Sequence, residues 1–150
     1  MPVDCWSAHI AEERKVEDLR RLPNSDIVEL ISLGAFPIPL ASKLLVWGKV
    51  TYLTGQQMDP GPDDPAFFLI STSLHDSRLT EHVDDASSNL NLRHPGATTV
   101  SLQGAIDAPP DHLGAPHSLS MRTELTGRDV LVVSVWLSAI EVDTLHMQPA

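Results

Sequence analysis

The sequence has a single cysteine, Cys5, among its 150 residues. One cysteine cannot form an internal disulfide, and it cannot supply the thiolate cluster of a structural zinc site. The chain also has no basic start followed by an apolar core, and no apolar run of membrane-spanning length. These absences predict a soluble protein of a reducing compartment, with no contact to a membrane.

Basic residues are also few: ten lysines and arginines stand against twenty aspartates and glutamates, which gives a net charge of −10. A protein that holds nucleic acid by itself gains its affinity mainly from Lys and Arg, so this balance argues against such a protein. It equally argues against binding to an anionic membrane surface. It leaves open a subunit whose partner carries the basic groove. The length predicts one domain with a real core.

Motifs of catalysis are missing as well. There is no Gly-x-Ser-x-Gly elbow and no glycine loop of the kind that holds phosphate. The seven histidines include no His-x-His pair, and Asp59, Asp63 and Asp64 lack the spacing of a calcium-binding loop. We therefore predict no metal site, and the sequence favours a protein without catalysis.

The clearest pattern that is present is an alternating strand interrupted by Gly48. Residues 43–53 alternate with period two, and a glycine within a strand is typical of a bulge or a sharp bend. The same pattern returns at residues 99–106, around Gly104. Two bent strands are what a small closed barrel needs at its corners. One face of the first strand groups Leu44, Val46, Val50 and Tyr52, and the other groups Leu45, Trp47, Lys49, Thr51 and Leu53.

Residues 7–22 predict a helix that Ser7 caps and Pro23 ends. The segment 27–33 that follows is either a short second helix or a lead-in strand. Beyond the two glycine strands, alternation predicts further strands at residues 88–93 and 117–125, and apolar runs predict strands at residues 66–71 and 130–142.

The strand at residues 130–142 is apolar on both faces, and a strand of this kind must be covered on both faces. Its odd positions up to residue 139 suit the core. On the other face, Val130, Val132 and Trp136 form an apolar stripe of the kind that marks an interface. The N-terminal helix is the alternative cover for this stripe.

The segments 42–52, 100–106 and 132–142 follow the strand order of an OB-fold, a five-stranded Greek-key barrel. The last of them is similar to the closing strand of the smallest OB-fold subunit of the telomere-capping CST complex. The resemblance implies a five- or six-stranded closed barrel, which we place over residues 23–150. The predicted helical extension over residues 1–22 is a departure from that family.

The same resemblance implies a function without catalysis, in the nucleus. The chain would pair with a larger OB-fold protein and help it to hold single-stranded DNA in a telomere-protecting complex. Trp47, Lys49 and Tyr52 would lie nearest the DNA, because an exposed aromatic ring beside a cation combines base stacking with backbone attraction. Val130, Val132 and Trp136 would contact the partner.

An alternative resemblance is to the FMN-binding split barrel of the pyridoxamine-phosphate-oxidase type. Residues 67–73, 89–92 and 100–104 look similar to the middle of that family. The resemblance implies that Arg78 contacts the phosphate of FMN and that Ser71–Ser73 line the flavin. The family's early Gly-x-Pro turn is absent, so this oxidoreductase hypothesis ranks second.

Overall fold

The computed structural model describes residues 7–23, 25–37, 42–54, 67–77, 82–107, 116–125 and 129–143. Within these ranges every regular element is a strand, so the prediction of a mostly β protein is confirmed. The strands are β1 (Ser7–Val16), β2 (Arg20–Leu22), β3 (Ser25–Pro37), β4 (Ser42–Thr54), β5 (Phe67–Asp76), β6 (Asp84–Asn91), β7 (Gly96–Asp107), β8 (Pro116–Leu125) and β9 (Val130–Asp143).

The strands form two antiparallel sheets. The first sheet has the order β1-β9-β4-β7, with β2 also paired to β9, and the second has the order β3-β8-β5-β6. The pairs β1–β9, β3–β8, β4–β7 and β5–β6 are nested, as in one long hairpin. This hairpin is rolled up so that β9 also pairs with β4 and β8 with β5. Nested pairs divided between two facing sheets are the topology of a jelly roll.

The closed OB-like barrel is therefore wrong, and the glycines have another role. Gly48 and Gly104 do lie on paired strands of one sheet. However, a Cβ atom added at Gly48 would lie 2.5 Å from Sδ of Met121, which is on β8 of the other sheet. A Cβ atom at Gly104 would in the same way overlap Val83. Another segment approaches both positions closely, which is a common reason for a glycine within a strand, and neither position is a barrel corner.

The N-terminal helix is also wrong, because β1 pairs with β9 from Ser7 opposite Asp143 to Val16 opposite Val135. A register shift between Ile10 and Glu12 interrupts the period-two pattern, which gives the apolar positions a spacing that resembles a helix. With β2 also on β9, residues 7–16 and 20–22 of the predicted helical extension are strands of the first sheet; residues 1–6 lie outside the described residues. None of the described residues forms a helix long and apolar enough to cross a membrane.

The segment 27–33 is a strand, since it lies within β3. A register shift between Glu29 and Ile31 makes the consecutive residues Leu30 and Ile31 both buried. Two adjacent buried positions remove the alternation that identifies a strand in a sequence. This shift is the physical reason that the sequence alone left helix and strand open here.

The core lies between the two sheets. Leu44, Val46, Val50 and Tyr52 of β4 all face it, as the alternation predicted. On β9 the inward positions change from even to odd, because Thr51 pairs with Ser134 while Tyr52 pairs with Val132. The inward side chains of β9 are Val130, Val132, Val135, Leu137 and Ala139, each 0% exposed.

Candidate binding face

The outer face of the first sheet brings together residues that are far apart in the sequence. The strand register builds two neighbouring rows across β1, β9, β4 and β7. One row is Lys15, Trp136, Lys49 and Ser101, and the next row is Glu13, Ser138, Trp47 and Gln103. Trp47 and Trp136 thus lie diagonally, within reach of one ligand. We refer to Lys15, Trp47, Lys49, Gln103 and Trp136 as the tryptophan face.

Both indole N–H groups of the tryptophan face are satisfied within the chain. Trp47 Nε1 donates to Gln103 Oε1 at 3.2 Å, and Trp136 Nε1 donates to Glu13 Oε1 at 2.7 Å. Both tryptophans are half-buried. Because these hydrogen bonds fix the indole edges, a ligand on this face meets the rings as apolar surfaces. A depression of about 390 Å³ lies here, bordered by both tryptophans and Lys49.

The two lysines of this face differ in charge environment. Lys15 Nζ lies 2.8 Å from Glu17 Oε1. That hydrogen bond, followed by the charge of Glu17, raises the pKa of Lys15. Elsewhere Arg21 pairs with Asp129, and Lys43 pairs with Asp107. Lys49 is exposed and takes part in none of these pairs, so it is the cation that a ligand can use.

Of the six residues predicted to contact DNA or a partner, three belong to the tryptophan face: Trp47, Lys49 and Trp136. Tyr52 is fully buried, and its hydroxyl lies 2.9 Å from Thr72 Oγ1 in the core. Val130 and Val132 are also fully buried. The apolar stripe predicted from Val130, Val132 and Trp136 is therefore divided, with only Trp136 on the outer side.

Sequence reasoning missed Gln103, Glu13 and Lys15. Gln103 could have been found from the sequence. If the two glycine strands pair antiparallel, with residues 44–50 opposite residues 100–106, Trp47 lies opposite Gln103, as observed. Glu13 and Lys15 could not, because a helix was predicted for their segment. Their approach to Trp136 depends on the pairing of β1 with β9.

A second polar cluster lies on the outer face of the second sheet, around His75. Ser73 Oγ lies 2.8 Å from His75 Nε2, and the rings of His75 and His82 are 4.4 Å apart, edge to face. The described part of the chain holds no group of three or more metal-ligating side chains. Of the residues that the flavin hypothesis assigns, Arg78 lies outside the described residues, and Thr72 points into the core, away from its neighbours Ser71 and Ser73.

Comparisons with known proteins do not assign the chain to a family. No family model and no curated protein matches it. Among solved structures, it is similar to the C-terminal domain of EclA, described as a sugar-binding protein, with 15% identity and a TM-score of 0.45 over 85% of this chain and 79% of that one.

It is also similar to a structure of infectious bursal disease virus strain Gx, with 8% identity and a TM-score of 0.47 over 94% of this chain and 36% of that one. For the Eiger TNF of S. frugiperda, the identity is 13% and the TM-score 0.40, over 92% and 94%. Likenesses this distant identify no function, so the proposals below depend on the chain's own residues.

Proposed function

We propose that the chain is a non-catalytic accessory subunit that helps a partner protein to hold single-stranded nucleic acid, and that the tryptophan face is its contact surface. The observation that carries the proposal is the register that places Trp47, Trp136 and Lys49 in two neighbouring rows on one exposed sheet face. Aromatic rings beside a cation are the elements that bind single strands without sequence preference.

The charge of the chain supports an accessory role. With a net charge of −10, it gains little affinity for phosphates over its whole surface. Lys49 supplies local attraction only. A partner with a basic surface would provide the remaining attraction, both for the nucleic-acid strand and for this acidic subunit. The nucleic acid would then be held between the partner and the tryptophan face.

The finer identity of the complex remains part of the sequence-based hypothesis. The resemblance implied a telomere-capping complex and a larger OB-fold partner, and both expectations started from an OB barrel that this chain does not have. The contact residues Trp47, Lys49 and Trp136 do not depend on that barrel, because their placement follows from the observed register. The proposal therefore retains the accessory binding role with Trp47 and Lys49, and it moves Trp136 from the predicted partner interface to the nucleic-acid contact.

Removal of either indole should weaken binding of a single strand. We expect Trp47→Ala and Trp136→Ala each to reduce the affinity for a labelled oligothymidylate of about 16 nucleotides by roughly 10-fold to 100-fold, since stacking on an aromatic ring contributes about 1–3 kcal/mol per base. Fluorescence anisotropy at low salt measures this. Phe67→Ala is the matched control, because Phe67 is an exposed aromatic residue on the second sheet. Equal affinities for all four proteins would contradict the proposal.

Replacing Lys49 should change the salt dependence of the same binding. One phosphate contact on a single strand contributes about 0.7 to the slope of log affinity against log salt concentration. We expect Lys49→Gln to reduce the slope by about this amount. Lys43→Gln is the control with an equal change of charge, because Lys43 lies 3.9 Å from Asp107 at the far end of the same face. If both variants changed the slope equally, Lys49 would have no contact of its own.

A further inference from the structure

The outer face of the second sheet places an arginine and two histidines together at its centre. Arg122 of β8 lies opposite Ser73 of β5, and His75 follows Ser73 on the same face of β5. Ser120 lies opposite His75, one outward position before Arg122. His82 comes from the segment before β6, and its ring contacts that of His75. Glu29 of β3 lies opposite Arg122. The surface is thus built from β3, β5, β8 and the segment before β6.

This centre borders two depressions. The larger has a volume of about 490 Å³ and the smaller about 190 Å³, and His75, His82 and Arg122 line both. Hydroxyl groups form much of the remaining lining. They belong to Ser32, Ser77, Ser118 and Ser120 in the larger depression, and to Ser71 and Ser73 in the smaller one. Thr72 and Thr123 also border the smaller depression, but the hydroxyl of Thr72 bonds to Tyr52 and that of Thr123 to the carbonyl of Ser71. The surface therefore offers many hydrogen-bond donors around one guanidinium group.

Charged groups of both signs meet at this centre. Burial, followed by the positive charges of Arg122 and His82, lowers the pKa of His75 below its ordinary value of 6.5. Glu29 from β3, Asp76 from β5, Asp85 from β6 and Glu124 from β8 surround the depressions. None of these carboxylates raises the pKa of His75 enough to cancel the lowering. Arg122 also forms none of the ion pairs found among the described residues.

We propose that Arg122, His75 and His82 form a binding site for a phosphate group, either as free phosphate or as a phosphomonoester. The planar fork of a guanidinium matches two oxygens of a phosphate at once. Imidazole N–H groups and the hydroxyls of Ser73 and Ser120 can donate to the remaining oxygens. The site lies on the sheet opposite the tryptophan face, so it is independent of the function proposed above.

The test is a titration with inorganic phosphate, followed by NMR of the labelled histidine rings. We expect saturable shifts of His75 and His82, and at least about a 10-fold loss of affinity in Arg122→Gln, since a charge-assisted hydrogen bond contributes about 1.5–3 kcal/mol. Arg93→Gln is the control with the same change of charge, because Arg93 lies at an exposed bend after β6 and lines neither depression. Arg122→Lys keeps the charge but loses the fork, and it should bind with intermediate affinity.

The pH dependence gives a second readout. A bound phosphate anion stabilises the imidazolium form, so saturating phosphate should raise the pKa of His75. Methyl phosphate in a parallel titration identifies the source: tighter binding than inorganic phosphate indicates a monoester, and weaker binding indicates free phosphate. Thermal melts of each variant confirm that it is folded.

Two results would overturn the proposal. One is the absence of a saturable shift of His75 with either probe. The other is an equal loss of affinity in Arg122→Gln and Arg93→Gln, which would show a response to net charge alone. An Arg122→Lys variant that is folded and binds as weakly as Arg122→Gln would still support a bidentate contact, whereas one that binds as tightly as the unsubstituted protein would exclude the fork.

Discussion

Replacing Tyr52 by alanine will destabilise the fold by about 3–5 kcal/mol, the usual cost of removing a large buried aromatic side chain. Tyr52 is 0% exposed and lies in the core between the sheets. Since the free energy of unfolding of a domain is about 5–15 kcal/mol, this loss is a large part of the total. Denaturant unfolding of the variant and the unsubstituted protein measures it. A loss below about 1 kcal/mol would mean that Tyr52 lies at a surface, as a nucleic-acid contact would require.

Tyr52→Phe tests the contribution of the hydroxyl to stability separately from that of the ring. The hydroxyl lies 2.9 Å from Thr72 Oγ1, and removing it leaves a buried partner unsatisfied at a cost of about 1–3 kcal/mol. Burial also raises the pKa of Tyr52 above its ordinary value of 10.0. The neutral hydroxyl thus contributes stability that is present below about pH 10 and lost as the pH rises towards the folded-state pKa.

That alkaline loss can be followed at one residue, because Tyr52 is the single tyrosine of the sequence. We expect the absorbance of tyrosinate to appear together with unfolding, and the additional loss of stability above pH 10 to be absent in Tyr52→Phe. Ionisation in the folded protein near pH 10 would contradict the buried position.

Gly48→Ala will destabilise the fold by about 1–3 kcal/mol, because Gly48 is buried and an extra methyl group in a packed core usually costs about this much. The added methyl group would meet the side chain of Met121, which is itself fully buried and would have to shift. Gly34→Ala is the control, since a Cβ atom there would lie 3.6 Å from Glu12, an ordinary contact. We expect this control to change stability by less than about 0.5 kcal/mol.

A double-mutant cycle tests the cause of that loss. Met121→Ala alone should cost about 2–5 kcal/mol through the cavity that it leaves. In the double variant the new methyl group of residue 48 enters part of that space, so the total loss should be smaller than the sum by about 1–2 kcal/mol. Strict additivity would show that Gly48 and Met121 do not meet across the two sheets.

Most strands of this fold could be predicted from alternation, and the way in which they assemble could not. Alternation placed β4, β7 and β8 within a few residues of their observed bounds, because each has one face in the core, and a long apolar run placed β9 equally well. Alternation failed at β1 and was ambiguous at β3, where register shifts after Ile10 and Glu29 interrupt the period. A pattern along one strand carries no information on which strand it pairs with, so a closed barrel and two open sheets were equally compatible with it.

The candidate sites show the same limit. Trp47 and Lys49 could be assigned to one outer face, because their strand is regular throughout. Val130 and Val132 were assigned to the wrong side, since the irregularity opposite Thr51 and Tyr52 reverses which residues of β9 point inward. The meeting of His75, His82 and Arg122 was not predictable, because it depends on the pairing of β5 with β8 and on the segment before β6.

The position of β9 has a consequence for synthesis of the protein. This strand lies between β1 and β4 and also pairs with β2. Three earlier strands therefore lack a pairing partner until β9 has left the ribosome. Until then their backbone edges are open, which invites association between nascent molecules. The same unpaired edges can pair with β9 of a second molecule. A reciprocal exchange of β9 is therefore the expected route to a domain-swapped dimer at high concentration.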